Sequence, residues 1–300
     1  MSMREIIAKH SDGRVVHALV LGEPNCGKVV AYHHGFPASC LEVLLARKCT
    51  SELGICIVAI DRPGIGGSVG YAGRKLADWP HDVTLIMDTL GVRDFAVLGV
   101  SGGTPSAVTL AARLPERVRS LTVVSGVAPM HLSGALSGAN VVNRAMMRMG
   151  YSRPRLARIT VRGIGQLWKK VPVIPHLWLT TLLPKCDKEI VSNKLVAGIM
   201  AKSVSEVFKQ GVDGVVTEFE LMTTAWEIEL ENIRIPTVIW HGMSDTYVPF
   251  AMGSILHERI KGSVFHEIPD AGHFMIVPKL REILTELVSS AWSGGEVGAA

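Results

Sequence analysis

The apolar run Phe95–Val100 passes without a break into Gly99-Val100-Ser101-Gly102-Gly103, and a segment with helical spacing begins at about Thr104. A serine with glycines two before and two after it, set between a strand and a helix, matches a sharp turn that holds the hydroxyl up at the strand's end. The tip of so tight a turn is pushed into sparsely populated backbone angles, and neighbouring chain passes close by, so side chains larger than hydrogen are excluded around it. Ser101 is therefore the first candidate for a nucleophile. Taken alone the pattern also fits an ordinary glycine-rich loop, because short glycine patterns are common.

The rest of the chain supplies a setting for that turn. Residues 4–9 and 15–21 alternate or run apolar around Ser11-Asp12-Gly13, which predicts an opening antiparallel hairpin. Residues 28–32 form a short apolar strand that ends in His33-His34-Gly35-Phe36-Pro37, and a helical stretch covers 41–52. A β-branched strand at 55–60 then runs into Asp61-Arg62-Pro63-Gly64-Ile65-Gly66-Gly67-Ser68. A helix at 75–90, the strand Phe95–Val100, a helix at 105–114 and a strand at 121–126 continue the alternation. After a break it resumes with a strand at 237–240, a helix at 250–260, a strand at 264–268 and a last helix at 279–289. Repeated β-α-β units imply an α/β fold: an eight-stranded, mostly parallel sheet with helices on both faces.

From 127 to 224 the pattern is helical and carries Met130, Met146, Met147, Met149, Met200 and Met222, with no strand of comparable strength. The expected organisation is a core in two parts, 1–127 and 225–292, a helical insertion at 128–224 between two strands of one sheet, and a tail at 293–300 without periodicity, expected to be mobile.

Charge is uneven along the chain. From Arg117 to Cys186 there are eleven Lys or Arg and no Asp or Glu, which leaves 20 basic against 27 acidic residues elsewhere. A basic segment can face an anionic substrate or a membrane surface, but a solvated outer face is the plainer reading. Aromatic residues are not interleaved with it, so no nucleic-acid partner is expected. The five cysteines are odd in number and lack Cys-x-x-Cys spacing, which points to reduced thiols in a cytoplasm rather than to disulfides or zinc. Arg4, Glu5, Lys9 and His10 stand where a signal peptide would need its apolar core, and residues 121–143 and 171–184 are too diluted or too short to span a membrane. A small-molecule substrate and a monomer or homodimer are expected.

A serine hydroxyl needs a base within hydrogen-bond reach, and the base needs a partner to fix its tautomer. The strand at 237–240 is followed by His241-Gly242-Met243-Ser244-Asp245-Thr246-Tyr247-Val248-Pro249, and that at 264–268 by Pro269-Asp270-Ala271-Gly272-His273-Phe274. Asp245 and His273 thus fall on loops at the same edge as Ser101, where ligands bind in open parallel sheets. Asp270, three residues before His273, is a rival acid.

With the His-Gly-Phe-Pro loop at His34 to Pro37, the Asp-Arg-Pro-Gly-x-Gly loop at Asp61 to Gly66, the Ser101 turn, the segment from Gly242 to Pro249, and Gly272-His273, the chain resembles the α/β-hydrolase superfamily outside its insertion. The resemblance implies a triad of Ser101, Asp245 and His273, with backbone N–H groups of Phe36 and Gly102 holding the negative charge of an oxyanion. It implies a bracing role for His34 and a structural loop in which Asp61 ties the turn and Arg62 pairs locally; Asp82 and Asp88 fall on a helix and read as solvated. The insertion would form a helical lid, with His34, Phe36, Val100, Met130, Trp168, Val248 and Phe274 as pocket candidates and Trp178 as a further apolar side chain. Arg144, Arg148, Arg155 or Arg158 would favour an acidic substrate if any pointed inward. Relatives that displace at alkyl carbon place an aspartate at the turn, so Ser101 favours attack at an acyl carbon without metal or organic cofactor. The resemblance leaves open esters, lactones, thioesters, amides, carbon–carbon bonds in vinylogous diketo acids, and a non-catalytic receptor of the same fold.

Overall fold

The computed structural model describes residues 2–171 and 181–292. Trp178 and the tail at 293–300, both singled out in the sequence, lie outside the described residues. Eight strands form one sheet: β1 (Met3–Lys9), β2 (Val15–Leu21), β3 (Val29–His33), β4 (Cys56–Ile60), β5 (Phe95–Val100), β6 (Val118–Val124), β7 (Thr237–Gly242) and β8 (Val264–Ile268). Their order is β1-β2-β4-β3-β5-β6-β7-β8. The hairpin β1-β2 and the β2-β4 pair are antiparallel, and every later pair is parallel. The expected α/β architecture is what the chain adopts.

Strands β3, β4, β5 and β7 are buried along their whole lengths, which is why they read as continuous apolar runs rather than as alternating ones. One core layer packs α2 (Trp79–Thr89), α3 (Thr104–Arg113) and α9 (Phe250–Arg259) against one face, with Val83, Ile86, Val108 and Leu256 fully buried. The other packs α1 (Arg47–Leu53) and α10 (Ile276–Trp292) against the opposite face through Ile283, Leu284 and Leu287. Parallel register aligns His33 with Gly99, Val100 with Val124 and Gly242 with Ile268. The loops that follow these strands therefore emerge at one edge.

Between β6 and β7 the described residues contain α4 (Val141–Ser152), α5 (Pro154–Lys170), α6 (Lys185–Val191), α7 (Lys194–Val207) and α8 (Asp213–Thr223), and no strand. No helix of the described residues is long and apolar enough to cross a membrane. The insertion sits directly on the core: a Cβ on Gly214, at the start of α8, would stand 2.0 Å from the Gly64 carbonyl oxygen. Glycine there lets the helix start on the loop after β4. Gln210 fixes the same junction by donating to the carbonyls of Gly66 (2.8 Å) and Ser68 (2.7 Å).

Several local expectations are corrected. The stretch expected as a helix at 41–52 is a 3-10 helix, Cys40–Ala46, that gives way to α1, and α2 is likewise preceded by a 3-10 turn, Leu76–Asp78. Strand β6 begins three residues earlier than expected, because exposed Arg119 interrupts its apolar run while Val118 pairs with Phe95. Asp82 is not solvated: it is buried, accepts both terminal nitrogens of Arg14, the Nη1 bond being 3.1 Å, and pairs with His10 at 2.7 Å.

Candidate active site

Ser101 stands at the junction of β5 and α3 with φ +50°, a strained conformation for a residue with a side chain. The glycines around it are there for space. A Cβ on Gly99 would stand 2.5 Å from the Ala107 Cβ, and one on Gly103 would stand 2.4 Å from the His33 carbonyl oxygen. On Gly102 it would stand 2.5 Å from the Phe36 Cβ and 3.3 Å from the Phe36 backbone nitrogen. The turn after β5 and the loop after β3 thus touch, and the Phe36 nitrogen lies directly against Gly102.

His273 follows β8 on the 3-10 turn His273–Met275, and its Nδ1 donates to Oδ2 of Asp245 at 2.8 Å. Asp270, the rival acid, is exposed. Asp245 is fixed by its own loop: Oδ1 accepts the backbone N–H groups of Tyr247 (2.8 Å) and Val248 (2.9 Å). His241, which the sequence reading passed over, lies 3.5 Å from Oδ2 and donates to the Val248 carbonyl at 2.9 Å. Burial alone would raise the Asp245 pKa, but the charge of His273 and the hydrogen bonds from His241 and His273 outweigh it and hold the carboxyl at about 2. Burial pulls the His273 pKa down, and the charge and hydrogen bond of Asp245 outweigh it, so the imidazole sits above its usual value.

Two cavities meet at Ser101. The larger, of about 130 Å³, is walled by Phe36, Val127, Met146, Met147, Trp168, Phe219, Met222 and Val248. The smaller, of about 60 Å³, is lined by Gly35, Phe36, Glu42, Val100, Ser101, Met200, Tyr247, His273 and Phe274. Five of the seven pocket candidates, Phe36, Val100, Trp168, Val248 and Phe274, therefore line one cavity or both. His34 and Met130 line neither. His34 is fully buried behind the loop, its Nδ1 donating to the Gly35 carbonyl at 3.0 Å, and Met130 is packed into the core layer beneath α3. Burial, with Arg62 nearby, keeps His34 neutral. Arg144, Arg148, Arg155 and Arg158 are all exposed, and no Lys or Arg lines either cavity among the described residues.

Arg62 does not pair locally. It is fully buried, donates to the carbonyls of His34 (Nη1, 2.7 Å) and Gly35 (Nη2, 3.0 Å), and its Nε donates to Glu218 of α8. Arg74 reaches the other oxygen of the same carboxylate. Burial pulls both guanidinium groups down to about 10, still charged at neutral pH. Glu42 accepts the Gly35 N–H at 2.7 Å, and burial pushes its carboxyl upward. Asp187 of α6, fully buried, accepts the backbone N–H groups of His273 and Phe274, each at 2.8 Å. None of these three carboxylates was singled out in the sequence, where each looks like an ordinary helix-face acid.

One group among the described residues has donors close enough for a metal ion: His17, Cys40 and Asp61. Its polar atoms are already committed. Asp61 accepts His17 Nδ1 (2.8 Å) and the N–H groups of Cys40 (2.7 Å) and Gly67 (3.0 Å), while burial keeps the Cys40 thiol protonated. The trio ties the loop after β4.

Known proteins are similar to this chain in sequence and in fold. The chain is 30% identical over 286 residues to the uncharacterized hydrolase YcgS of Bacillus subtilis (strain 168), covering 89% of this chain and 91% of that protein. It is 24% identical over 269 residues to the bifunctional esterase/perhydrolase DCH of Acinetobacter calcoaceticus, covering 89% and 92%. A bromoperoxidase structure from Bacillus anthracis superimposes with TM-score 0.73 at 18% identity, covering 96% of this chain and 99% of that one. The esterase RhEst1 from Rhodococcus sp. ECU1013 does so with TM-score 0.67 at 20% identity, covering 97% and 100%. The family model of the alpha/beta hydrolase fold matches residues 28–280, and the chain belongs to that family.

Proposed function

We propose that the chain is a serine hydrolase that cleaves a carboxylic ester of a small hydrophobic acid through an acyl-enzyme intermediate. The observation that carries this reading is that Ser101 and His273 line one small cavity while the far nitrogen of His273 is tied to Asp245. Ser101 Oγ attacks the ester carbonyl carbon as His273 Nε2 accepts its proton. The negative charge that develops on the carbonyl oxygen is held by the backbone N–H groups of Gly102 and Phe36. Asp245 stabilises the imidazolium, which then gives its proton to the departing alcohol. Water, deprotonated by the same histidine, attacks the acyl carbon and releases the acid and free Ser101.

The acyl group fits the larger cavity, whose walls, apart from Ser101 and Asn143, are aliphatic, aromatic and methionine side chains able to adapt to different chains. The absence of a cation from the described cavity walls favours a neutral ester over the acidic substrate that the basic insertion suggested, and over a vinylogous diketo acid, whose carboxylate would find no charged partner among the described residues. The names of the two similar esterases point the same way. In this reading the helical insertion is the cap of the site.

Turnover of p-nitrophenyl esters of graded chain length, with labelling by a fluorophosphonate, tests the proposal. Wild type should hydrolyse and be labelled, and Ser101→Ala should do neither while staying folded. A wild type that does neither would count against a hydrolase and for a receptor. Full activity in Ser101→Ala would show that the nucleophile is another residue.

A further inference from the structure

Asp187 sits in the first turn of α6, far in sequence from the turn that it touches. Its two oxygens take the N–H groups of His273 and Phe274, which open the 3-10 turn leading into α10. N–H groups at a helix start have no partner within the helix, and the usual acceptor is a side chain on the residue just before. Here that residue is Gly272. A Cβ on it would stand 2.2 Å from Oδ2 of Asp187, so the missing side chain opens a notch that the carboxylate from the insertion fills. The carbonyl of His273 is held in turn by Ser125 Oγ at 3.1 Å, and the ring by Asp245. The histidine is thus anchored at its nitrogen, its carbonyl oxygen and its ring by three separate parts of the chain.

We propose that Asp187 is a positioning residue for His273: the helical insertion supplies the carboxylate that caps the turn carrying the base, and with it one of the three anchors that set the base in place. This rests on the serine hydrolase reading above. The charged groups facing His273 are Asp245 from the loop after β7, Asp187 from α6 and Glu42 from the 3-10 helix after β3, each favouring the imidazolium.

The test is the pH dependence of fluorophosphonate inactivation, read beside the kinetics of a p-nitrophenyl ester. Asp187→Asn keeps one acceptor and removes the charge, whereas Gly272→Ala keeps the charge and pushes the carboxylate out of the notch. In Asp187→Asn the acid limb of inactivation should move to lower pH by about 0.5 unit or more. In both variants the plateau rate and kcat should fall about 10-fold or more, with KM little changed. Folding is checked by the urea midpoint; the limb is read in Asp187→Asn, and if only Gly272→Ala folds, an unchanged plateau rate and kcat in that variant overturn the proposal. A folded Asp187→Asn whose limb and plateau match wild type overturns the proposal, as does loss of activity without any movement of the limb, which would mark a purely structural contact. A wild type that is not labelled overturns the hydrolase reading itself, and with it this inference.

Discussion

Replacing Glu218 by glutamine removes the single carboxylate that lies between the guanidinium groups of Arg62 and Arg74. Arg62 is 1% exposed and Glu218 6% exposed, so water cannot take over as partner. Breaking a buried pair by removing one member costs about 3–5 kcal/mol; Arg62 keeps the charges of Glu42 and Asp61 and its two carbonyl acceptors, so the lower end, about 3 kcal/mol, is expected. With a urea dependence of about 3 kcal/mol per molar, this moves the unfolding midpoint down by about 1 M. Equilibrium unfolding followed by tryptophan fluorescence reads it. Glu220→Gln is the control: its carboxylate, 31% exposed, pairs with Arg158 at the surface, where such pairs contribute about 0–1 kcal/mol. A second readout follows from the peptide plane. The Gly35 carbonyl that Arg62 holds and the Phe36 N–H proposed to face the oxyanion belong to one rigid unit, so a guanidinium released from Glu218 lets that donor tilt. Loss of one aimed donor costs about 100-fold in kcat, and a tilted one should lose about 10-fold or more. If Glu218→Gln matches Glu220→Gln in midpoint and wild type in kcat, the buried network neither stabilises the fold nor orients the loop, and the reasoning is wrong.

Other outcomes follow from the same geometry. His273 must be neutral to accept the proton, so kcat/KM should rise with pH along an acid limb above the ordinary imidazole value of about 6.5. Asp245→Asn removes the charge that raises it: the limb should move down and kcat fall by roughly 10⁴, and an unmoved limb would assign the pairing elsewhere. Gly102→Ala puts a methyl against the Phe36 nitrogen and Cβ, and turnover of a p-nitrophenyl ester should fall about 100-fold. Wild-type turnover in that variant would remove Gly102 and Phe36 from the oxyanion role.

The strands and the site loops were legible because their signals are local. Phe95–Val100 and Val264–Ile268 have the same bounds in sequence and structure: the first is an apolar run ended by a glycine-rich turn, which needs no distant partner to be read as a buried strand, and the second, a partly exposed edge strand, is stopped by Pro269. Asp245 and His273 could be paired from their places after consecutive strands, because parallel register carries such loops to one edge. Buried charge was not legible. Asp82, Asp187 and Glu218 each stand on a helix with polar neighbours, and a helix-face acid is solvated unless its counterpart arrives from elsewhere. For Asp82 it arrives from Arg14 across 68 residues, for Asp187 from two backbone N–H groups across 86 and 87, and for Glu218 from Arg62 across 156. The same blindness made Arg62 look locally paired.

These distant partners bear on how the insertion relates to the chemistry. Had the insertion touched the core only through apolar packing, its helices could drift without disturbing the loops beneath, and substrate selection would be separable from catalysis. Instead α8 reaches the loop after β3 through Glu218 and Arg62, and α6 reaches the turn of His273 through Asp187. Each contact is a buried carboxylate with directional partners, which tolerates displacement far less than a methyl packed on a methyl. Exchanging the insertion for that of another family member should therefore change rate along with specificity, unless the graft brings acids to the positions of Asp187 and Glu218. A graft that lacks both yet keeps wild-type kcat on a shared ester would show that packing alone seats the loops.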